Sequence, residues 1–458
     1  MLMPKQYEIK QYLNDVSDKY GLTPKMHFNT EVEQCTWNSE TATWTIDLHD
    51  TQTDQRWQHE TSILFSCAGS LVNPRKLDVP GVELFKGPIF HTAQWDNSVD
   101  LENKKVIVIG NGCTGIQVVT GVLNLGAKSV VHFSRSPHWI LPSPDRPINE
   151  PVRWLLQKFP FLMWLFRFYA FMYMEKAALM YDMTKRGARD RAMRQAISRR
   201  YIKKVAPKNY RSLLIPDWEL GCRRRIFDCG YIEALNRPDL ELTNSTIKEI
   251  TSNGVRTEEG VIEADAIILA NGFEVSKYMA PMTLKGKNGV DIHEQWDHQG
   301  GIGAYSCVAV SGFPNFFLVA GPNTATGHTS VVISSENTTN LALRLLKPVL
   351  DGKAKTVEVR KEAEERWSDQ IQDALQNRVW TRGGCTSWYV EDSKWVSTMY
   401  PYSQADLWKR CMFPKWSDWE YRADDGKEVS YYGLDRFKKL SMYILGLASI
   451  GIWYIRRV

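Results

Sequence analysis

Residues 104–133 constrain this chain more tightly than any other stretch. Lys104-Lys105 leads into an apolar run, Val106–Ile109, that ends at Gly110-Asn111-Gly112-Cys113-Thr114-Gly115. A helical pattern continues to about Leu125, and a second strand follows near Ser129–Phe133. Strand, glycine turn, helix and strand make a βαβ unit and predict a parallel sheet. GxGxxG alone is a weak signal, but between a strand and a helix it describes a dinucleotide cradle. Gly110 makes the tight turn, Gly112 lets backbone amides approach a pyrophosphate, and Gly115 lets the helix lie close on the strand. Asn111, Cys113 and Thr114 complete the loop at the positive end of the helix dipole.

The choice of dinucleotide is read further on. About twenty residues past the glycines, an NAD-binding unit offers Asp or Glu to the ribose. Here the sequence reads Phe133-Ser134-Arg135. A carboxylate would repel a 2′-phosphate, whereas Ser134 and Arg135 can hydrogen-bond and neutralise it. The expected cofactor is NADPH; the alternative reading of Arg135 is an ordinary surface charge.

Composition narrows the remainder. With 458 residues, the chain is long enough for two or three domains. At 43% hydrophobic and 24% charged residues it is neither disordered nor a polytopic membrane protein. A net charge of +5 spread over this length gives no nucleic-acid footprint. Its eight cysteines (35, 67, 113, 222, 229, 307, 385 and 411) show no CxxC and no paired Cys/His spacing. A zinc site or disulfide framework is therefore not expected, no metal is assigned, and a reducing, intracellular setting is the default.

Along the chain, Gln6–Tyr20 reads as a helix stopped at Gly21, and Thr43–Leu48 and Thr61–Ser66 read as strands. From Pro151 to about Lys204 the pattern is helical and rich in Trp, Phe, Met and Arg. Trp154–Tyr173 is apolar nearly all round and reads as packed core of that insertion; a substrate entrance and a membrane contact are the alternatives. Strands return at Leu240–Thr243, Val261–Ile262, Asp265–Ala270 and Asn315–Ala320, and helices at Thr339–Leu350 and Lys361–Asn377. Leu440–Ile455 is an uncharged run bracketed by Lys438-Lys439 and Arg456-Arg457. As a helix it would measure about 24 Å against a bilayer core of about 30 Å. It is expected either to anchor the protein in a membrane or to dock on the protein or an interface.

Just before the βαβ unit stands Phe85-Lys-Gly87-Pro-Ile-Phe-His91-Thr-Ala-Gln-Trp95-Asp96. Read from the residues alone, His91 is more simply a satisfied structural histidine than a catalyst. As a pattern, however, the segment resembles FxGxxxHxxxW(D/P), the fingerprint of Baeyer–Villiger monooxygenases, flavin enzymes that insert oxygen beside a ketone. Trp95 favours these ketone oxidants over the related N-oxygenating enzymes, which usually carry Phe or Tyr there. Gly221-Cys222-Arg223-Arg224 resembles the family's GC(K/R)R stretch. The resemblance puts Arg223 on the NADPH phosphate and Arg224 over the flavin, with Arg225 leaving a one-residue ambiguity. Asp265–Phe273 resembles D-x-x-x-x-A-T-G-F with Asn271 in place of Thr, so Asn271 and Gly272 join the cofactor-binding set; Cys67-Ala68-Gly69 is a weaker copy. Gly384–Tyr389 resembles the active-site loop, where Trp388 is either a site residue or a core aromatic.

The resemblance implies an α/β protein of two dinucleotide-binding, Rossmann-like domains with a helical insertion. Residues 1–96 would hold part of the FAD domain and the hinge. Residues 97–140 and 216–270 would form the NADPH domain, with 141–215 as the insertion. Residues 271–425 would complete the FAD domain, leaving 426–458 as a tail. The family's opening GxGxxG, which grips FAD, is not in this sequence, so the FAD domain is expected to be incomplete at its N-terminus. The implied cofactors are FAD and NADPH, and the implied reactants are O₂ and an apolar ketone. A C4a-peroxyflavin would attack the carbonyl, with Arg224, His91 and Trp388 as catalytic candidates. An N- or S-hydroxylating relative and an inactive NADPH-binding remnant are the alternatives.

Overall fold

The computed structural model describes residues 4–145, 147–275 and 277–429. The chain starts with helix α1 (Gln6–Tyr20), stopped by Gly21 in the left-handed conformation. None of its residues is buried. Three antiparallel strands follow, β1 (Thr30–Asn38), β2 (Thr43–Asp50) and β3 (Arg56–Thr61), and then the short β4 (Leu64–Ser66). Next come β5 (Ile89–His91), β6 (Lys105–Ile109), α2 (Cys113–Asn124), β7 (Ser129–Phe133) and β8 (Ile140–Leu141). Three helices are inserted here: α3 (Glu150–Lys158), α4 (Pro160–Glu175) and α5 (Lys185–Val205). Strands resume with β9 (Ile226–Phe227), β10 (Leu240–Thr243), β11 (Glu249–Thr251), β12 (Gly254–Thr257), β13 (Gly260–Glu263) and β14 (Ala266–Leu269). The last strands are β15 (Thr283–Lys285), β16 (Phe316–Leu318), β17 (Thr356–Val359) and β18 (Trp419–Arg422).

The sheet that positions the site has the order β10-β7-β6-β14-β5 and is parallel throughout. Its strands are apolar on both faces because both faces are covered, as in other parallel sheets. Val106 and Val108 of β6 pack with Ile116 and Val119 of α2. The alternate residues Ile107 and Ile109 face the β11-β12-β13 meander through Ile250 and Val255. The hinge fingerprint belongs to this sheet: β5 carries Phe90 and His91 and forms its edge against β14.

The second unit joins distant parts of the chain. β15 runs parallel to β1, making a sheet β15-β1-β2-β3 over a core of Trp37, Trp44, Trp296, Phe313 and Phe316. β4 pairs in parallel with β16. Beside them a larger core gathers Tyr181, Phe317, the helices Val331–Leu350 and Lys361–Gln376, and the antiparallel pair β17–β18.

Two expectations are corrected. The aromatic helices α3 and α4 are not packed core, because neither contains a buried residue. In addition, Cys222 and Cys385, 163 residues apart, form a disulfide. Sequence spacing cannot reveal such a bridge, because the fold brings the two segments together. The expected anchor at 440–455 lies outside the described residues. Among the described residues no helix is long and apolar enough to cross a membrane.

Candidate active site

The three glycines of the β6–α2 turn behave as their spacing predicts. Gly110 has φ +111°, and a side chain there would press a Cβ 2.3 Å from the Ala270 carbonyl oxygen. A Cβ on Gly115 would lie 1.9 Å from the Gly110 oxygen, so helix and strand meet only because it is glycine. At Gly112 the same position faces open space. Gly112 is the N-cap of α2, and no side chain caps the helix, so its first amides are left for an anion.

A buried residue that sequence reasoning missed steadies this turn. His132 of β7 is fully buried, with Nε2–H donating to the Gly110 carbonyl at 3.0 Å and Nδ1 accepting from the Tyr231 hydroxyl at 2.8 Å. Burial pulls its pKa down to about 4, so the ring is neutral. The available signal was a polar residue in an otherwise apolar strand next to a glycine turn.

Beyond the loop, Asn111 donates to Ser134 Oγ at 2.6 Å and to the Ser136 carbonyl at 2.7 Å. Ser134 is itself buried. Both side chains therefore tie the loop to β7, leaving Arg135, which is exposed, to meet a nucleotide. Arg223 spans two segments, with Nη1 donating to Ser136 Oγ at 2.7 Å and Nε to the Thr386 carbonyl at 2.7 Å. Its guanidinium lies 4.6 Å over Trp218. Burial, and next the positive charge of Arg135, lower its pKa. Two guanidiniums that repel each other beside a phosphate-ready helix end form a site that gains from an anion.

The run Arg223-Arg224-Arg225 resolves into three surroundings. Arg225 turns into the insertion, 3.4 Å from the Met180 sulfur. Arg224 stays exposed, and its charge acts on the Cys113 thiol and the Tyr389 phenol. It thus sits between the first residue of α2 and the loop that resembles the active-site loop. The Cys222–Cys385 disulfide holds these segments together, and Gly383 makes room for it: a Cβ there would lie 2.8 Å from the Cys222 Cβ. Trp388 is 43% exposed, so the core-aromatic reading fails.

His91 is committed to backbone. Nε2–H donates to the Gly272 carbonyl at 3.0 Å, and Nδ1 accepts from the Ala93 amide at 3.1 Å. Burial lowers its pKa. Asn271 donates to the carbonyls of Arg75 and Lys76, while its buried Oδ1 has no partner. Gly272 (φ +90°) has open space at its α-carbon. Gly87 lets the Phe85 ring fold over it, with the Asp265 carbonyl 2.3 Å from where a Cβ would stand.

Comparison with known proteins decides the family. Residues 2–161 match the model of the flavin-binding monooxygenase-like family. A Baeyer-Villiger monooxygenase of Pseudomonas aeruginosa is 32% identical over 85% of this chain and 72% of its own length. Another, from Streptomyces coelicolor, is 30% identical over 88% of this chain and 76% of its own. The chain belongs to the Baeyer–Villiger monooxygenases. The fold of this family member agrees. Cyclohexanone monooxygenase from Rhodococcus sp. Phi1, solved bound to NADP+, superposes with a TM-score of 0.78 at 22% identity. The match covers 92% of this chain and 85% of that one. A steroid monooxygenase bound to NADP gives 0.75 at 21% identity over the same shares. The α/β architecture with Rossmann-type dinucleotide domains is thus that of the Baeyer–Villiger enzymes.

Proposed function

We propose that this protein uses NADPH and FAD to insert one oxygen atom of O₂ beside the carbonyl of an apolar ketone, giving an ester or lactone. The observation that carries the proposal is Arg224, exposed between the N-terminus of α2 and Tyr389, where a nicotinamide end and a substrate loop would converge. NADPH fits the residues present: Gly110–Gly115 and the uncapped amides of α2 would hold the pyrophosphate, and Arg135 with Arg223 the 2′-phosphate. For the flavin, Gly69 after β4 and the Asn271-Gly272 turn provide open backbone and an orphaned acceptor. No second strand–GxGxxG–helix for its pyrophosphate stands among the described residues.

Together the two cofactors supply the electrons by which NADPH, H⁺, O₂ and ketone become NADP⁺, water and ester. The chain's own residues bind and orient. The Arg224 guanidinium would steady anionic oxygen at the reacting centre. His91, with both nitrogens engaged, is a positioning residue that ties the hinge to the Gly272 turn. Trp388 would cover the substrate side and exclude water.

Full-length protein supplied with FAD, NADPH and a cyclic ketone tests the reading. It is expected to take up flavin, turn yellow and release lactone. Protein that binds NADPH but takes up no FAD, or that yields only N- or S-oxides from amines and sulfides, would overturn it.

A further inference from the structure

The helical pair α3–α4 presents an apolar surface that the described residues leave uncovered. Trp154, Phe159, Phe161, Trp164, Phe168 and Tyr173 are all between 45% and 69% exposed, and neither helix has a buried residue. Their rings pack on one another rather than on the body of the protein: Trp154 on Phe159, and Phe161 and Phe168 stacked on Trp164. The pair rests on the turn Lys176–Tyr181. It is tethered there by Glu175, which lies 3.6 Å from His328 and accepts from the Ala405 amide. An apolar patch of this extent on a folded protein marks an interaction site.

Charge decides what covers it. Residues 150–205 carry thirteen Lys and Arg against four Asp and Glu, although the whole chain is only +5. No acidic residue stands between 151 and 174, where Arg153, Lys158 and Arg167 punctuate the apolar run. On α5, Lys185, Arg186, Arg189 and Arg200 are exposed. A second copy laid symmetrically on this face would set like charges against each other, whereas an anionic surface would attract both. Trp and Tyr beside Lys and Arg are the residues that settle at the boundary between headgroups and acyl chains. Sixteen residues of α4 measure about 24 Å, shorter than the about 30 Å of a bilayer core, so the helix suits lying in the surface rather than crossing it.

We infer that α3–α4 docks the protein onto an anionic lipid bilayer, inserting its aromatic side chains among the headgroups of one leaflet. The inference concerns residues 150–175 and does not depend on the reaction catalysed. Long side chains such as Arg167 keep their charge at the phosphates while their stems stay apolar.

The test is flotation of the full-length protein with vesicles of phosphatidylcholine plus phosphatidylserine, compared with phosphatidylcholine alone. It is repeated for the variant Trp154→Ser/Phe161→Ser/Trp164→Ser/Phe168→Ser, with Trp164→Glu as a single-site second variant. These side chains are exposed, so circular dichroism and melting temperature should be unchanged. The wild type is expected to float with the mixed vesicles, more weakly with the neutral ones, and the fourfold variant to lose at least about a hundredfold in partitioning. The inference fails if the wild type stays unbound. It fails equally if the variants float as well as the wild type, or if they change only the oligomeric state.

Discussion

His132 shows how much one buried side chain decides. Its ring is neutral in the fold, with a pKa of about 4 against an ordinary 6.5. Below pH 6.5 the unfolded chain takes up a proton that the folded chain refuses, so this contribution is complete above 6.5 and is lost as pH falls toward 4. The loss should reach about 3 kcal/mol. His132→Gln should flatten that part of the stability–pH curve in urea titrations at pH 4.5 and 7, and an unchanged slope would remove the assignment. At the nucleotide, Arg135→Ala should raise the KM for NADPH at least about tenfold and leave that for NADH nearly unchanged. A parallel rise in both would show that Arg135 does not read the 2′-phosphate. The sequence paired Ser134 with Arg135 in this role; in the fold Ser134 is buried and its oxygen accepts from Asn111. A hydroxyl's partner depends on a loop fold that spacing does not disclose.

At the scale of elements, the β6–α2 turn was legible because its three glycines answer three separate steric demands. Gly115→Ala should drive a methyl into the Gly110 carbonyl, costing about 1–3 kcal/mol and weakening NADPH binding at least tenfold. Calorimetric titration of the variant checks both. Helix α1 was equally legible, since Gly21 takes the left-handed conformation its position called for. The hinge segment was read from its motif, but not the sheet it joins: β5 is the edge strand of the nucleotide sheet. Three residues, Ile89–His91, are too few for periodicity to show which sheet they join. Helix α4 misled for a different reason. An all-apolar helix reads as buried whether its surroundings are protein or lipid, and only the structure shows that none of the described residues covers it.

For the whole molecule, the deciding relation is between segments far apart in sequence. Arg224, Cys113 and Tyr389 meet where the disulfide ties residue 222 to residue 385, and the cysteine spacing gave no hint of that pairing. Such a bridge restricts the unfolded chain by an amount on the order of 3–5 kcal/mol in the loop-entropy account. Dithiothreitol should therefore lower the melting temperature of the wild type and leave a Cys222→Ser/Cys385→Ser variant unaffected. Equal responses would mean that the bridge is not formed. The central claim is that the Arg224 guanidinium serves the oxygenation step while Arg135, Arg223 and the glycine turn hold the coenzyme. Product formation under ¹⁸O₂ by flavin-loaded wild type and Arg224→Ala, with NADPH affinity measured in parallel, tests it most directly. The account predicts one ¹⁸O in the ester from the wild type, and none above background from a variant that still binds NADPH normally. Undiminished labelled ester from Arg224→Ala would contradict it.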